Sequence, residues 1–415
     1  MLSSAPAEAA GNIIPTRIGL AKLTRMSFDG IDLAPLWEDL LQRVAQDGSN
    51  TAAIMDMSVI AQLLGDQSSG LALQQGALNV ERLYRSPCST AAPRLRVLAL
   101  AAATDIGGNT PLECLLEETD LEIYTLYIVP GLPLPNPLPA HDIAIVVAPD
   151  SQSTSATLSE IDRLVRNWPR PVLNLPGNIC ALERDRLHVL LQGVSGIHIP
   201  MTAGLSRQQF LDIAHNGTAL RDFIGEGKFP LIVRPVDSHA GRGLVKLDLA
   251  FDIDAYLSQR PESHFFISPY IDYSSSDGLF RKYRIIFVDG RPYACHMAIS
   301  DEWRIWYYNA GMAEDDAKRS EEARFMVNFD HEFVRRHNVA LTETARRINL
   351  EYFGIDCAET KAGELLIFEA DNAMIVHNMD CPEIFPYKAA PMRRLFDAFA
   401  TMLCQRARCA HSVAA

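Results

Sequence analysis

Three acids near the C-terminal end, Asp356, Glu369 and Asp371, have the residue types and spacing to do chemistry; they lie in the run GIDCAETKAGELLIFEADNA. An apolar helical segment precedes Asp356, and a Lys361-Ala362-Gly363 turn leads into the apolar run Leu365 to Phe368. A hairpin or paired strands at those points brings the three carboxylates to one end of a sheet. Acids gathered in this way repel one another unless a cation lies between them, and oxygen ligands of this kind suit Mg²⁺ beside phosphates. The pattern therefore predicts a nucleotide-dependent enzyme.

A second signal is the stretch Pro230 to Leu244, where an apolar run ends in Arg234 and a loop follows with Ser238, His239, Gly241 and Gly243. Such a loop can offer backbone N–H groups to phosphate while the arginine pairs with phosphate oxygens. The competing interpretation is a glycine-bearing turn with a surface arginine. The loop is neither a Walker motif nor the GxGxxG of a dinucleotide fold. Of the histidines, His239 is the one expected to touch substrate or phosphate; His296 and His377 are not spaced as zinc ligands.

The elements that must position these residues fall into three regions. Residues 1–94 comprise a disordered start and a helical region, with Leu71, Leu73, Ala77, Leu78 and Leu83 sharing a face and Gly65 and Gly70 marking turns. One helical hairpin of the tetratricopeptide kind fits it; a repeat array does not. Residues 95–178 alternate strand and helix, which predicts a parallel α/β domain. Residues 179–415 interleave long antiparallel strands with helices, including a hairpin turned by Asp289-Gly290 and a helix over 337–353 ahead of the acids.

A net charge of −13 and the absence of a basic stripe argue against nucleic acid as a partner. Eight scattered cysteines lack the Cys-x-x-Cys spacing of a zinc site and read as reduced, buried thiols. No stretch has the length of a membrane span and no secretory signal opens the chain, so a cytoplasmic location is expected.

The order of these segments resembles the ATP-grasp superfamily, which includes D-alanine–D-alanine ligase, glutathione synthetase and the RimK-type glutamate ligases. The resemblance covers about residues 95–395 and rests on Glu183 to Arg186 ahead of Gly196 to Thr202, on Arg234 with its loop, on His264 to Asp272, on Lys282 to Gly290, and on the acids. It implies an α+β fold, two lobes (179–265 and 266–415) clasping ATP, behind a parallel α/β domain. By this match Arg186 and Arg234 stand where the family has phosphate-contacting lysines, keeping the charge but not the stem geometry. Ile267 falls in the adenine-contacting hinge, Asp272 or Asp277 near the ribose, and Arg284 beside the transferred phosphate. Asp356, Glu369 and Asp371 correspond to the set that holds Mg²⁺, two ions being implied; Asp371 replaces the usual asparagine, with Asn372 beside it. Arg304 and Asn309 resemble the acceptor-site neighbourhood loosely, and Lys388 lies in a loop that covers that site.

The activity implied is a carboxylate–amine ligase working through an acyl phosphate, on a small-molecule or peptide carboxylate and an amine acceptor. A small-molecule kinase and a non-catalytic nucleotide sensor are the alternatives. The N-terminal helices are candidates for protein or peptide docking, and homodimerisation is left open.

Overall fold

The structure, a computed structural model, describes residues 14–413 except 216–218, 226 and 239–240, so His239 lies outside the described residues. The chain has an α+β fold in which N-terminal helices precede three β-sheets. No helix among the described residues is long and apolar enough to cross a membrane. The cysteines are free thiols, half of them buried.

Four helices open the chain: α1 (Leu20–Phe28), α2 (Ala34–Gln46), α3 (Thr51–Leu63) and α4 (Gln67–Leu78). The expected single hairpin is therefore a four-helix unit, with α3 and α4 its closest pair. Asn50 and Asp66 cap α3 and α4 by accepting the N–H groups of Ala53 and Ser69. Helix α3 is apolar nearly all round and buried, as a central helix must be. Gly65 does occupy a turn, at φ 91°, but Gly70 lies inside α4. A Cβ at Gly70 would stand 2.4 Å from Gln62 Cγ and 2.8 Å from the Ser58 carbonyl, so glycine lets the two helices approach.

The first sheet contains β1 (Leu83–Arg85), β2 (Leu95–Ala101), β3 (Leu121–Tyr127), β4 (Ile143–Val146) and β5 (Val172–Leu173), in the order β1-β3-β2-β4-β5. All neighbours are parallel except the β1 edge. Its central strands are buried almost throughout, which is why LRVLALA reads as continuous apolar sequence.

The later strands are β6 (Ile197–His198), β7 (Ala203–Ser206), β8 (Leu231–Pro235), β9 (Val245–Leu247), β10 (His264–Pro269), β11 (Phe280–Val288), β12 (Arg291–Ser300), β13 (Tyr352–Glu359) and β14 (Leu365–Asp371). They form an antiparallel sheet β7-β10-β8-β9 and a second sheet β12-β11-β13-β14-β6, antiparallel except for β6 on β14. A lobe boundary at 265/266 would cut through β10, which is an inner strand of the four-stranded sheet; β6 conversely joins the other sheet. The helix expected over 337–353 ends at Ile348, because Asn349 adopts a left-handed conformation (φ 53°) that stops it and Tyr352 begins β13. The expected acidic hairpin is β13–β14, turned at Gly363 with φ 81°.

Candidate functional site: a cleft between two antiparallel sheets

A cavity of about 930 Å³ lies between the four-stranded sheet and the acid-bearing sheet, at the upper end of the range for ligand pockets. Arg184, Arg234, Lys282, Arg284, Asp356, Glu369 and Asp371 all line it. Three neighbouring strands bring the second wall's charges into line: Asp356 on β13 is opposite Arg284 on β11 and opposite Glu369 on β14. Lys282 and Arg284 are two residues apart on β11 and so share a face.

Both bulges of this sheet fall at the site. The register shifts between Asp356 and Cys357, leaving Phe368 unopposed on β14, and between Arg284 and Ile285, leaving Cys295 unopposed on β12. A bulge interrupts the strict alternation of side chains, and here successive residues Phe368 and Glu369 both reach the cavity.

The acids are neutralised by the chain itself. Arg284 makes a two-pronged contact with Asp356 (Nε to Oδ1 2.8 Å, Nη2 to Oδ2 3.0 Å), and Lys282 Nζ adds a third at 2.8 Å. Burial raises the cost of the Asp356 charge, but these two cations outweigh it and hold the carboxyl far below its usual range. Glu369 Oε2 accepts from Arg184 and lies 3.7 Å from Arg234 Nη1. Burial again opposes its ionisation, and Arg184, with Arg234 and Lys282, keeps it below the ordinary range. Asp371 Oδ1 caps the following turn by accepting from Ala373 N at 2.8 Å.

Among the described residues no group of three or more His, Cys, Asp or Glu is already gathered to hold a metal. The three acids have hard-oxygen chemistry, but both oxygens of Asp356 and Oε2 of Glu369 are already engaged by cations. They do not fit as a preformed metal cage. Asn372 points away from the cavity side of β14: it is fully buried, donates to Ala148 O at 3.1 Å, and leaves Oδ1 without a hydrogen-bond partner.

On the opposite wall Arg234 is held by its own loop, donating from Nε to Ser238 Oγ at 3.0 Å and from Nη2 to the Ser238 carbonyl. Ser238 is buried and donates in turn to Pro235 O, so it positions the arginine rather than facing a ligand. Burial, then the like charge of Arg184, lowers Arg234 to about 9. It remains cationic at neutral pH, and an anion between the two guanidiniums would relieve both effects. Gly241 and Gly243 both have φ 70°; Gly241 lines the cavity, whereas Gly243 packs on Pro235, where a Cβ would come within 2.6 Å.

Several expected contacts lie elsewhere. Arg186 pairs with Asp150 outside the cavity, and Arg184 occupies the cleft instead. Both belong to the helix Arg184–Leu191, and residues two apart on a helix point to different sides, so the RDR doublet did not say which one faces in. Lys282 was missed as well, although period-two spacing from Arg284 could have found it. The Ile267 side chain is fully buried in the core of the four-stranded sheet, and its neighbours Phe266 and Ser268 line the cavity. Asp272 pairs with Lys361 and Asp277 with Arg281, neither lining the cavity; the hydrogen bond from Lys361 lowers Asp272 to about 2. Arg304 and Asn309 do line it, but Asn309 Oδ1 caps its own turn at Trp306 N. Lys388 is buried against Asp380 and Glu322 rather than offered to a substrate.

No family model and no curated protein matches the chain. Solved structures do. The VanG D-Ala:D-Ser ligase from Enterococcus faecalis aligns with 75% of this chain and 100% of its own, at 13% identity and a TM-score of 0.47. D-alanine–D-alanine ligase from Bacillus anthracis complexed with ATP aligns with 77% of this chain and 98% of its own, at 13% identity and a TM-score of 0.44. A RimK domain protein ATP-grasp from Sphaerobacter thermophilus aligns with 74% and 99%, at 13% identity and a TM-score of 0.43. At these values the likeness is distant.

Proposed function

We propose that this chain is an ATP-dependent carboxylate–amine ligase of the ATP-grasp type, with the nucleotide lying between the two antiparallel sheets. The observation that carries this reading is the convergence of Arg184, Arg234, Lys282 and Arg284, from three separate elements, on one cavity. Four cations beside three acids leave a surplus of positive charge suited to phosphates. Ile232, Phe266, Leu366 and Phe368 supply apolar lining for a flat base.

In this reading a substrate carboxylate oxygen attacks the terminal phosphorus of ATP, the bond to the bridging oxygen breaks, and ADP leaves. The product is an acyl phosphate. An amine then attacks its carbonyl carbon, phosphate departs, and the amine loses a proton to give the amide. Arg184 and Arg234 hold the nucleotide phosphates, while Arg284, fixed by Asp356, faces the oxygens of the transferred group. No covalent nucleophile of the protein is required.

The test combines nucleotide binding with turnover. Arg184→Ala and Arg234→Ala should each weaken ADP binding at least tenfold. Glu369→Gln should strengthen ADP binding measured without divalent metal, because it releases two guanidiniums from their anion. ADP release should need a carboxylate and an amine together, with a product mass equal to their sum less water. Unchanged ADP affinity in both arginine variants sinks the site; ADP release on one co-substrate alone points to a kinase.

A further inference from the structure

The N-terminal helical unit reaches the same cavity. Gln62, Gly65 and Gln67, from the end of α3 and the start of α4, line it together with residues 104–108, the loop that leaves β2. Pro149, Ser151 and Ser153, which follow β4, line it too. In the order β3-β2-β4 the chain leaves β2 to one side and returns on the other, and the carboxyl ends of such strands are where open α/β sheets bind ligands.

Three glutamines of the helices hold three consecutive residues of that loop. Gln74 Nε2 donates to Thr104 O at 2.9 Å, Gln67 Nε2 donates to Asp105 Oδ2 at 3.0 Å, and Ile106 N donates to Gln62 Oε1 at 3.0 Å. A second cavity, of about 80 Å³, is also lined by Thr104, Asp105 and Ile106. The loop is held by these hydrogen bonds together with the packing of Ile106 against the core of the helical unit. The loop lies near the charged wall: a Cβ at Gly107 would stand 3.6 Å from Ile375 Cδ1, and the Ile375 carbonyl accepts from Arg284 Nη1 at 3.1 Å. Among the described residues at this end (Gln62, Gly65, Gln67, Thr104, Asp105, Ile106), Asp105 is the acidic one and none is basic.

We infer that the helical unit is part of the substrate site. Gln62, Gln67 and Gln74 are positioning residues that set the 104–108 loop, and Asp105 on that loop selects a substrate carrying an ammonium group. This rests on the ligase reading of the cavity, and it assigns the helices to substrate selection in place of docking another protein.

The test uses the full chain and a panel of free amino acids and dipeptides, each beside its N-acetylated form, read by ADP release and by saturation-transfer NMR. Gln62→Ala/Gln67→Ala should raise KM for the free amines at least tenfold with kcat within about twofold. Asp105→Asn should lose at least tenfold for the free amines and little for the acetylated forms, and Asp105→Glu should recover part of it. ADP affinity should stay at the wild-type value in all three variants, which also reports that they fold. Wild-type KM values in the variants overturn the inference, and so does a parallel loss of ADP affinity. Lack of binding by every free amine while ADP still binds overturns it as well. Failure of the wild-type chain to bind ADP is a separate result: it removes the ligase reading, and with it this inference.

Discussion

The sheet that carries Arg234 and the sheet that carries Asp356 and Glu369 face one cavity, yet they are anchored differently. The four-stranded sheet has its own small core, built from Leu205, Phe210, Val233, Leu247, Phe265 and Ile267. The acid-bearing sheet shares one contiguous core with the parallel sheet, from Val97 and Ile145 to Phe287, Phe353 and Phe399. Buried hydrogen bonds reinforce that union: Asn174 bonds the backbone of Tyr352 in both directions (2.7 and 3.0 Å), and Thr110 Oγ1 donates to Asn372 O at 2.7 Å. The small sheet is tied to the rest by polar contacts, one of them the Arg234–Glu369 approach inside the cavity and the others near the surface. Gln152 N donates to Asp237, Arg304 to Leu244 O, and Lys361 to Asp272. One wall is thus a fixed body and the other a jaw whose ties to it are polar, and polar surface ties contribute little to stability. A ligand bridging the two walls would add to the cohesion between them.

The strongest challenge to this contrast is Arg284→Ala, in the fixed body. It strips the two-pronged partner from a carboxylate whose side chain is only 2% exposed, and should cost roughly 3–5 kcal/mol in denaturant unfolding, with ADP release falling on the order of 100-fold. A loss of stability no larger than that of Arg234→Ala, which sits in the jaw, would erase the distinction.

Nucleotide should act next most strongly, and unevenly. With ADP at about 100 times its Kd, hydrogen exchange should slow in β8 and β10 by up to about 100-fold, equivalent to about 2.7 kcal/mol. The amides of β2 and β4 should hardly change. Equal protection of both regions would show a single rigid unit.

A third effect concerns the internal anchoring of the helical unit. Asp56 accepts from Ile18 N at 2.7 Å and Gly19 N at 3.2 Å. Burial lifts it from 3.8 to about 6, against those hydrogen bonds and the charge of Arg17. The folded chain therefore holds this proton more tightly than the unfolded chain does. Its contribution is complete below about 3.8 and is lost as pH rises through about 6. Wild-type stability relative to Asp56→Asn should fall by about 3 kcal/mol across that window. A flat difference would place the shift elsewhere.

Much of the architecture was legible before any coordinates. Continuous apolar strands separated by helical periods marked the parallel sheet, and Asp289-Gly290 and Lys361-Ala362-Gly363 marked two hairpins, because local patterns respond to local sterics. The candidate site was legible in part. Arg234 and the acids stood out by type and spacing and Arg284 by the family resemblance, whereas Arg184 was hidden by its twin two residues on. Lys282 was passed over, and Ile267 was given a place in the cleft although alternation sends it into the core.

The sequence by itself determined which charges are available and on which strands they lie, since residue type and period-two spacing are properties of the chain. Tertiary structure alone decided who neutralises whom. Asp356 meets Arg284 and Lys282 through strand register, and Glu369 meets Arg184 across 185 positions of sequence. Bulges at Phe368 and Cys295 reset the facing of side chains where no local pattern announces it. The reach of Gln62, Gln67 and Gln74 to the 104–106 loop is of the same kind: it follows from the close packing of two helices at Gly70 and from their docking on a sheet formed later in the chain.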